Sequence, residues 1–196
     1  MDRSEYLAQV RRDIEFSDTL CGQPLKFRTT WGIFSPKAID EGTRLLLSHL
    51  EVKPTDDCMD LGCGYGPIGI TVAKLAPQGQ TLMVDKDYVA VEYAKKNIEI
   101  NGLKNAGARL SNAFSEVGEQ QFDLIVSNIP AKVGKEMLAI INQDAMDHLR
   151  PGGRFYVVSV NGLRQLFKRE FTEVFGNYKK VKQGKNYTVS MAQKPF

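Results

Sequence analysis

Between residues 56 and 161 short apolar runs alternate with stretches whose apolar residues recur at helical spacing. Cys58-Met59-Asp60-Leu61, Thr81 to Val84 with Asp85 behind it, Ala108 to Leu110, Phe122 to Ser127 and Arg154 to Val160 are the runs. The fourth is almost continuously apolar, as a strand covered on both faces should be. Ile68, Val72 and Leu75 follow Pro67 at helical spacing. A second helix is predicted from about Asp87 to Asn101, closed by Gly102, and a third from about Lys135 to Leu149, stopped by Arg150-Pro151-Gly152-Gly153. Leu163, Leu166, Phe167, Phe171 and Val174 make one more helical face. The chain closes with Tyr178 to Gln183 and Asn186 to Ala192 around Gly184-Lys185, the pattern of a hairpin. The expected fold is α/β: a doubly wound, Rossmann-like seven-stranded sheet, mostly parallel, with a C-terminal antiparallel hairpin.

Upstream, Leu7, Val10 and Ile14 lie at helical spacing among charges, so Ser4 to Phe16 reads as an amphipathic helix. Residues 1–22 are expected to form an accessory helical segment, and 23–196 one domain. Leu25 and Phe27 alternate with Lys26 and Arg28, which predicts a strand over Gln23 to Thr29. After Trp31-Gly32-Ile33-Phe34, the pair Ser35-Pro36 reads as the N-cap and first residue of a helix running to about Leu50.

Composition narrows the function classes. A chain of 196 residues with 42% hydrophobic residues can bury one sizeable core. No apolar run approaches the roughly 18 residues of a membrane span, and the charged start Met1-Asp2-Arg3-Ser4-Glu5 is unlike a signal peptide, so a cytoplasmic protein is expected. Cys21, Cys58 and Cys63 are odd in number, and His49 and His148 stand apart from them, which argues against a disulfide framework or a metal site. The net charge is only +3, but Arg164, Lys168, Arg169, Lys179, Lys180, Lys182, Lys185 and Lys194 face only Glu170 and Glu173 after residue 160. This local excess fits a nucleic-acid partner, with a solvated basic face as the plainer alternative.

The densest chemistry lies in Asp60-Leu61-Gly62-Cys63-Gly64-Tyr65-Gly66-Pro67-Ile68-Gly69. Alternating glycines between a strand and a helix permit positive φ and a close backbone approach to a ligand, and the helix start points free N–H groups at the same place. Gly64 to Gly69 also fits the dinucleotide fingerprint, so the glycines alone leave the ligand open. Asp60 favours S-adenosyl-L-methionine (SAM), because a carboxylate there suits an ammonium group and repels a pyrophosphate. Cys63 reads as a small residue that fits the loop. In a doubly wound sheet ligands lie at the carboxyl ends of the strands. Asp85 would there accept hydrogen bonds from a ribose diol, and Asn112-Ala113 would read an adenine edge. Asn128 closes the fourth strand.

Phe27-Arg28-Thr29-Thr30-Trp31-Gly32-Ile33-Phe34-Ser35, Ile39-Asp40-Glu41-Gly42-Thr43-Arg44-Leu45-Leu46 and the Asp60 to Gly69 stretch, in that order, resemble the methyltransferase small domain of class I SAM-dependent methyltransferases. That group includes the ribosomal small-subunit RNA guanine-N2 methyltransferases. The resemblance implies that Gly62, Gly64 and Gly66 line the methionine half of SAM, Asp85 the ribose, and Asn112 and Ala113 the adenine, with Phe34 and Ser35 at the mouth. It also implies a catalytic Asn-Pro-Pro followed by an aromatic or aliphatic residue. This chain has Asn128-Ile129-Pro130-Ala131 instead, and Asn112 where many relatives have Asp. The chemistry survives the first change: the Asn128 oxygen and the carbonyl of Ile129 can accept two N–H bonds and turn a nitrogen lone pair toward the methyl group. Pro130 still biases Ile129 toward extended backbone. Ala131 loses a stacking partner for a base. Lys132 and Lys135 flank this segment and would meet phosphates. The expected function is SAM-dependent N-methylation of RNA at a guanine amine. The alternatives are methylation of a protein glutamine or a small molecule, a SAM-binding protein without catalysis and, third, a nicotinamide oxidoreductase.

Overall fold

The apolar runs form adjacent parallel strands β3 (Cys58–Leu61), β4 (Thr81–Asp85), β5 (Ala106–Leu110), β6 (Phe122–Asn128) and β7 (Leu149–Val160) in the computed structural model, which describes residues 1–196. With β8 (Lys179–Gln183) and β9 (Tyr187–Gln193) they make one seven-stranded sheet in the order β5-β4-β3-β6-β7-β9-β8. The two pairings of β9 are antiparallel and the other four parallel. The chain enters at β3, winds outward to β5 and returns to β6 on the other side of β3. The winding therefore reverses between β3 and β6, where their carboxyl ends open a crevice.

Helices cover both faces. One apolar cluster joins Tyr156, Met83 and Leu124 of the sheet to α2 (Glu41–Leu47), α3 (Pro67–Leu75) and α4 (Tyr88–Ile100). The other packs Phe155, Ile125 and Met59 against α5 (Lys135–His148) and α6 (Arg164–Phe175), where Phe167, Phe171 and Phe175 stack at helical spacing. No helix is long and apolar enough to cross a membrane.

The N-terminal segment differs from expectation. Helix α1 (Arg3–Val10) begins at a reciprocal cap between Asp2 and Glu5 and stops at Arg11, and residues 14–20 form a strand instead of continuing it. Strand β1 (Ile14–Leu20) pairs antiparallel with β2 (Gln23–Thr29) as a separate two-stranded sheet. The helix buries none of its residues, whereas alternate residues of β1 turn inward and Phe16 meets Phe27 and Tyr65 at ring separations of 5.4 and 6.2 Å. Burial of Phe16 outweighs continuation of a helix with nothing to pack on. The hairpin is anchored through Asn97 of α4, which accepts from the Arg28 N–H (2.7 Å) and donates to the carbonyls of Arg28 and Tyr65 (both 2.9 Å).

The second difference concerns α2. It begins at Glu41, not behind Ser35, and Asp40 is its N-cap, accepting from the Thr43 N–H at 3.1 Å. Ser35 has φ +48°, in the left-handed region, so it cannot take the extended backbone of an N-cap, and its hydroxyl donates to the Ala38 carbonyl instead. Residues 31–40 are an irregular loop ahead of the helix.

Removal of residues 1–11 is expected to leave the melting temperature within about 2 °C of the intact chain, because α1 buries nothing. Phe16→Ala should destabilise by about 1–3 kcal/mol in urea titrations, less than a fully buried phenylalanine because Phe16 is half-buried. Equal effects of the two changes would contradict this division.

Candidate active site

The glycine turn is built on backbone conformations that side chains resist. Gly62, Gly64 and Gly66 have φ of +74°, +55° and +95°. A Cβ on Gly62 or Gly64 would meet nothing within 4 Å, so conformation and open space toward a ligand explain them. At Gly66 a Cβ would also come within 3.1 Å of Ile70 and 3.2 Å of Met83. The turn is tied to β4: the N–H groups of Gly62 and Cys63 both donate to the Val84 carbonyl, at 2.9 and 3.0 Å. The Gly64 N–H donates to Asp85 Oδ2 (2.8 Å) and the Asp87 N–H to Asp85 Oδ1 (2.9 Å). Each oxygen of Asp85 thus has one backbone donor that orients it and a further lone pair for a ligand.

Asp60 departs from expectation. Its carboxylate does not line the crevice; it is 1% exposed and turned under the glycine turn, where Oδ2 accepts the Gly69 N–H at 2.7 Å and Oδ1 has no partner. Burial pushes its pKa up to about 7, against the Gly69 hydrogen bond and with a contribution from the Asp85 charge.

A cavity of about 330 Å³ opens at the reversal of the sheet. Of the residues singled out in the sequence it brings together Phe34, Gly62, Gly64, Asp85, Asn112, Ala113, Asn128, Ile129 and Pro130. Gly66 and Asp60 lie beneath it, and Lys132 and Lys135 are exposed outside its lining. Val133, Met137 and Ile141, which sequence reasoning left out, supply an apolar wall. Ala113 holds φ +51° in a loop knitted by Ser111, whose hydroxyl donates to the Ala113 carbonyl at 2.7 Å and accepts from the Glu116 N–H at 3.1 Å.

Around Asn128 the structure adds two residues that were not assigned a role. Its amide nitrogen donates to Asp40 Oδ2 at 2.8 Å and to Thr43 Oγ1 at 3.1 Å. The signal for them was the Asp40-to-Thr43 N-cap pattern, which the competing Ser35-Pro36 pair obscured. Ile129 continues from β6 with its N–H donating to the Val158 carbonyl at 3.0 Å, and its own carbonyl accepts no backbone donor. Phe34 stands 67% exposed at the mouth. The loop behind it is propped by Tyr65, whose hydroxyl lies 3.3 and 3.4 Å from the carbonyls of Ser35 and Ala38. Burial, then the charges of Asp40 and Asp18, push the Tyr65 phenol above its ordinary pKa, so it remains a donor. Burial likewise pushes the Cys63 thiol well up, with Asp60 and Asp85 adding to the effect, which leaves it a neutral wall residue and no nucleophile.

The strand register locates the basic tail. Lys182 pairs with Val189, Val189 with Val158, and Val158 with Asn128. Lys182 is therefore level with Asn128 across three strand spacings, roughly 14 Å. Lys179 pairs with Met191, which faces Tyr156 and so the level of Val126, two residues deeper. Of the tail, Lys182 and Lys185 are the lysines on the site's end of the sheet.

The cavity thus joins an apolar slot and a carboxylate with free lone pairs to a strand end that presents hydrogen-bond acceptors. The family model described as methyltransferase small domain matches residues 24–191. The chain is 31% identical over 183 residues to the uncharacterized protein YbxB of Bacillus subtilis, covering 91% of this chain and 90% of that one. It is 30% identical over 172 residues to ribosomal RNA small subunit methyltransferase C of Hamiltonella defensa, covering 86% of this chain but 50% of that protein. Among solved structures, the T. thermophilus 16S rRNA N2 methyltransferase in complex with AdoMet and guanosine superposes with a TM-score of 0.84 at 30% identity, over 93% of this chain and 50% of that one. The chain spans about half the length of the ribosomal RNA methyltransferases it matches.

The buried carboxylate makes stability depend on pH. The folded protein keeps the Asp60 proton up to about pH 7, whereas an ordinary aspartate releases it near 3.8. Between those values the folded state binds more protons, so stability falls as pH rises through the window, by an amount on the order of a few kcal/mol. Asp60→Asn keeps an oxygen for the Gly69 N–H and removes the charge. Its stability relative to wild type should rise between about pH 4 and about pH 7 in urea titrations. A pH-independent difference would show that Asp60 is not held this way.

Proposed function

The chain belongs to the methyltransferase small domain family, and from that premise we propose that it transfers the methyl group of SAM to an exocyclic amine of RNA, with guanine N2 of ribosomal RNA as the acceptor. The observation that carries this reading is the Asn128 amide at the cavity wall, with its nitrogen occupied by Asp40 and Thr43 and its oxygen left for an incoming N–H. The ribosomal RNA methyltransferases among its relatives support RNA over other acceptors.

The residues present suit the cofactor. Positive-φ glycines with open space above them, a carboxylate with free lone pairs and an apolar slot match an amino-acid tail, a ribose and an adenine. SAM supplies an electrophilic methyl group on a sulfonium. Gly62 and Gly64 would line its methionine half, with Gly66 shaping the turn below. Asp85 would accept from the ribose hydroxyls, Asn112 and Ala113 would meet the adenine edge, and Ile129, Met137 and Ile141 would supply apolar wall beside it. Asp60 acts at one remove, by holding the helix start that the turn leads into.

An exocyclic amine is a poor nucleophile because its lone pair is delocalised into the ring. Asn128 Oδ1 and the Ile129 carbonyl accept its two N–H bonds and draw the nitrogen toward tetrahedral geometry. Pro130 keeps that carbonyl in place by biasing Ile129 away from helical backbone. Orientation of this kind can supply about 7–11 kcal/mol of barrier, so no strong base is required before transfer, and the methylated nitrogen then gives up one proton to water. Phe34 stacks on the unpaired base, for about 1–3 kcal/mol, in place of an aromatic at Ala131. Lys132, Lys135, Lys182 and Lys185 meet phosphates around the rim. The base must be unpaired or flipped to enter.

Calorimetry should detect SAM binding. Asp85→Ala should weaken it tenfold or more, since hydrogen bonds to a charged acceptor contribute about 1.5–3 kcal/mol each. Asn128→Ala should keep SAM affinity and lose transfer from methyl-labelled SAM to in vitro transcribed small-subunit ribosomal RNA. Nuclease digestion should release N2-methylguanosine. Lys182→Ala/Lys185→Ala should lower the log-log salt slope of RNA binding by about 0.7 per lost contact. Label in protein glutamine or a metabolite, or in nothing, would overturn the RNA reading.

A further inference from the structure

Both hydrogens of the Asn128 amide are taken inside the protein, one by Asp40 Oδ2 at 2.8 Å and one by Thr43 Oγ1 at 3.1 Å. A carboxylate accepts and does not donate, so the nitrogen must be the atom that faces Asp40 and the oxygen the atom that faces the cavity. We propose that Asp40, assisted by Thr43, is a positioning residue that locks the orientation of the Asn128 amide, so that the site offers its acceptor atom an oxygen only and selects a nitrogen that carries hydrogen. The inference rests on the proposed role of Asn128 as the group that holds the acceptor.

Asp40 is built to hold still. It caps α2 through the same oxygen, accepting the Thr43 N–H at 3.1 Å, so Asn128 and the helix start share one acceptor atom. On its other side the Tyr187 hydroxyl lies 3.5 Å from Oδ1. Burial, then the charges of Asp40 and Glu41, push the Tyr187 phenol up, which keeps it a donor toward Asp40. Gly42 leaves the room this needs: a Cβ there would sit 2.9 Å from Asp40 Oδ2 and 3.0 Å from the Tyr187 ring. The hairpin that carries Tyr187 is in turn pinned to α2 by the Asn186 amide, which donates to Glu41 Oε2 at 2.9 Å.

Without Asp40, little distinguishes the two ends of the Asn128 amide. A half-turn of the terminal torsion would present its NH₂ group to the substrate amine, setting donor against donor. Asp40 and Thr43 line the same cavity, but Asp40 Oδ2 is already taken by the Asn128 amide and the Thr43 N–H, so the role proposed for Asp40 runs through Asn128. The carboxylate matters here as an acceptor, not as a proton carrier. An asparagine whose carboxamide oxygen takes the place of Oδ2 can accept from both the Asn128 amide and the Thr43 N–H.

The test compares Asp40→Asn, Asp40→Ala and Thr43→Val. The first readout needs no substrate: the side-chain amide resonances of Asn128 in a ¹⁵N spectrum, identified by their loss in Asn128→Ala. In wild type and Asp40→Asn these two protons should be dispersed and protected from exchange. In Asp40→Ala they should move to the shifts of a free carboxamide and exchange at least about tenfold faster. The second readout is single-turnover methyl transfer to the small-subunit ribosomal RNA transcript. Asp40→Ala should lower the rate about a hundredfold, the cost of a misplaced catalytic group, with SAM affinity unchanged. Asp40→Asn should retain the rate within about tenfold, since a neutral acceptor is weaker than a charged one. Thr43→Val, which leaves the Asp40 cap in place, should give an intermediate loss and serves if Asp40→Ala does not fold. Unchanged Asn128 resonances in Asp40→Ala would overturn the proposal, as would an Asp40→Asn variant as inactive as the alanine. If wild type methylates no RNA, the proposed acceptor is wrong, and the amide resonances still decide whether Asp40 orients Asn128.

Discussion

The hydrogen bond from the Gly69 N–H to the buried Asp60 carboxylate holds the first turn of α3 down onto the carboxyl end of β3. That approach leaves no side-chain room: a Cβ at Gly69 would fall 2.5 Å from Met83 Cγ on β4. With the helix start pressed against β3 and β4, the chain between them has to fold back through three positive-φ glycines, and one of these delivers its N–H to Asp85. Two carboxylates at adjacent strands thus organise the turn from below and from the side. The cost is visible in Asp60, whose second oxygen has no partner and whose pKa is raised to about 7. Buried, half-satisfied groups of this kind are expected where a loop must be held open for a ligand.

The opposite wall is assembled differently. Asn128 ends β6, Asp40 and Thr43 open α2, and Asn186 and Tyr187, where the chain turns from β8 into β9, bond to the start of α2. Asn161, just past β7, donates to the carbonyls of Gly184 and Lys185 and accepts from Thr188, which fixes that turn. The C-terminal hairpin therefore completes the sheet and also buttresses the residue proposed to hold the acceptor. The glycine turn is one contiguous motif, whereas the wall around Asn128 is assembled from four separate segments.

The other pole of the sheet carries its ion pairs. Arg150 bonds Asp57 and Asp123, and Arg154 bonds Asp56 with both side chains largely buried, 11% and 5% exposed. These groups clamp the amino ends of β3 and β6 to β7, away from the cavity. Removing one partner of the buried pair would leave an uncompensated charge, at about 3–5 kcal/mol. Stability and chemistry thus occupy opposite ends of the same strands, which leaves the site end free to carry open backbone and partly satisfied polar groups.

The sequence by itself determined the α/β alternation, the parallel core, the closing hairpin and the three strand ends bearing Asp85, Asn112 and Asn128, because each depends on short-range constraints. Apolar periodicity sets element type, glycines at 62, 64 and 66 set a turn, and Asp87 and Gly102 bound α4 at either end. The tertiary structure alone decided where polar side chains point and which of two local patterns wins. Residues 14–16 fit helical spacing and strand alternation equally, until Phe27 and Tyr65 offered Phe16 a surface to bury against. Ser35 is an acceptable N-cap by residue type, but the helix starts behind Asp40, whose carboxylate Asn128, 88 residues away, shares with Thr43. Asp60 stood at the right strand end for a ligand, but the Gly69 N–H claimed it first. A hydrogen bond is satisfied by whatever partner the fold brings within about 3 Å, and sequence spacing carries no information on that distance once the partners lie on different elements.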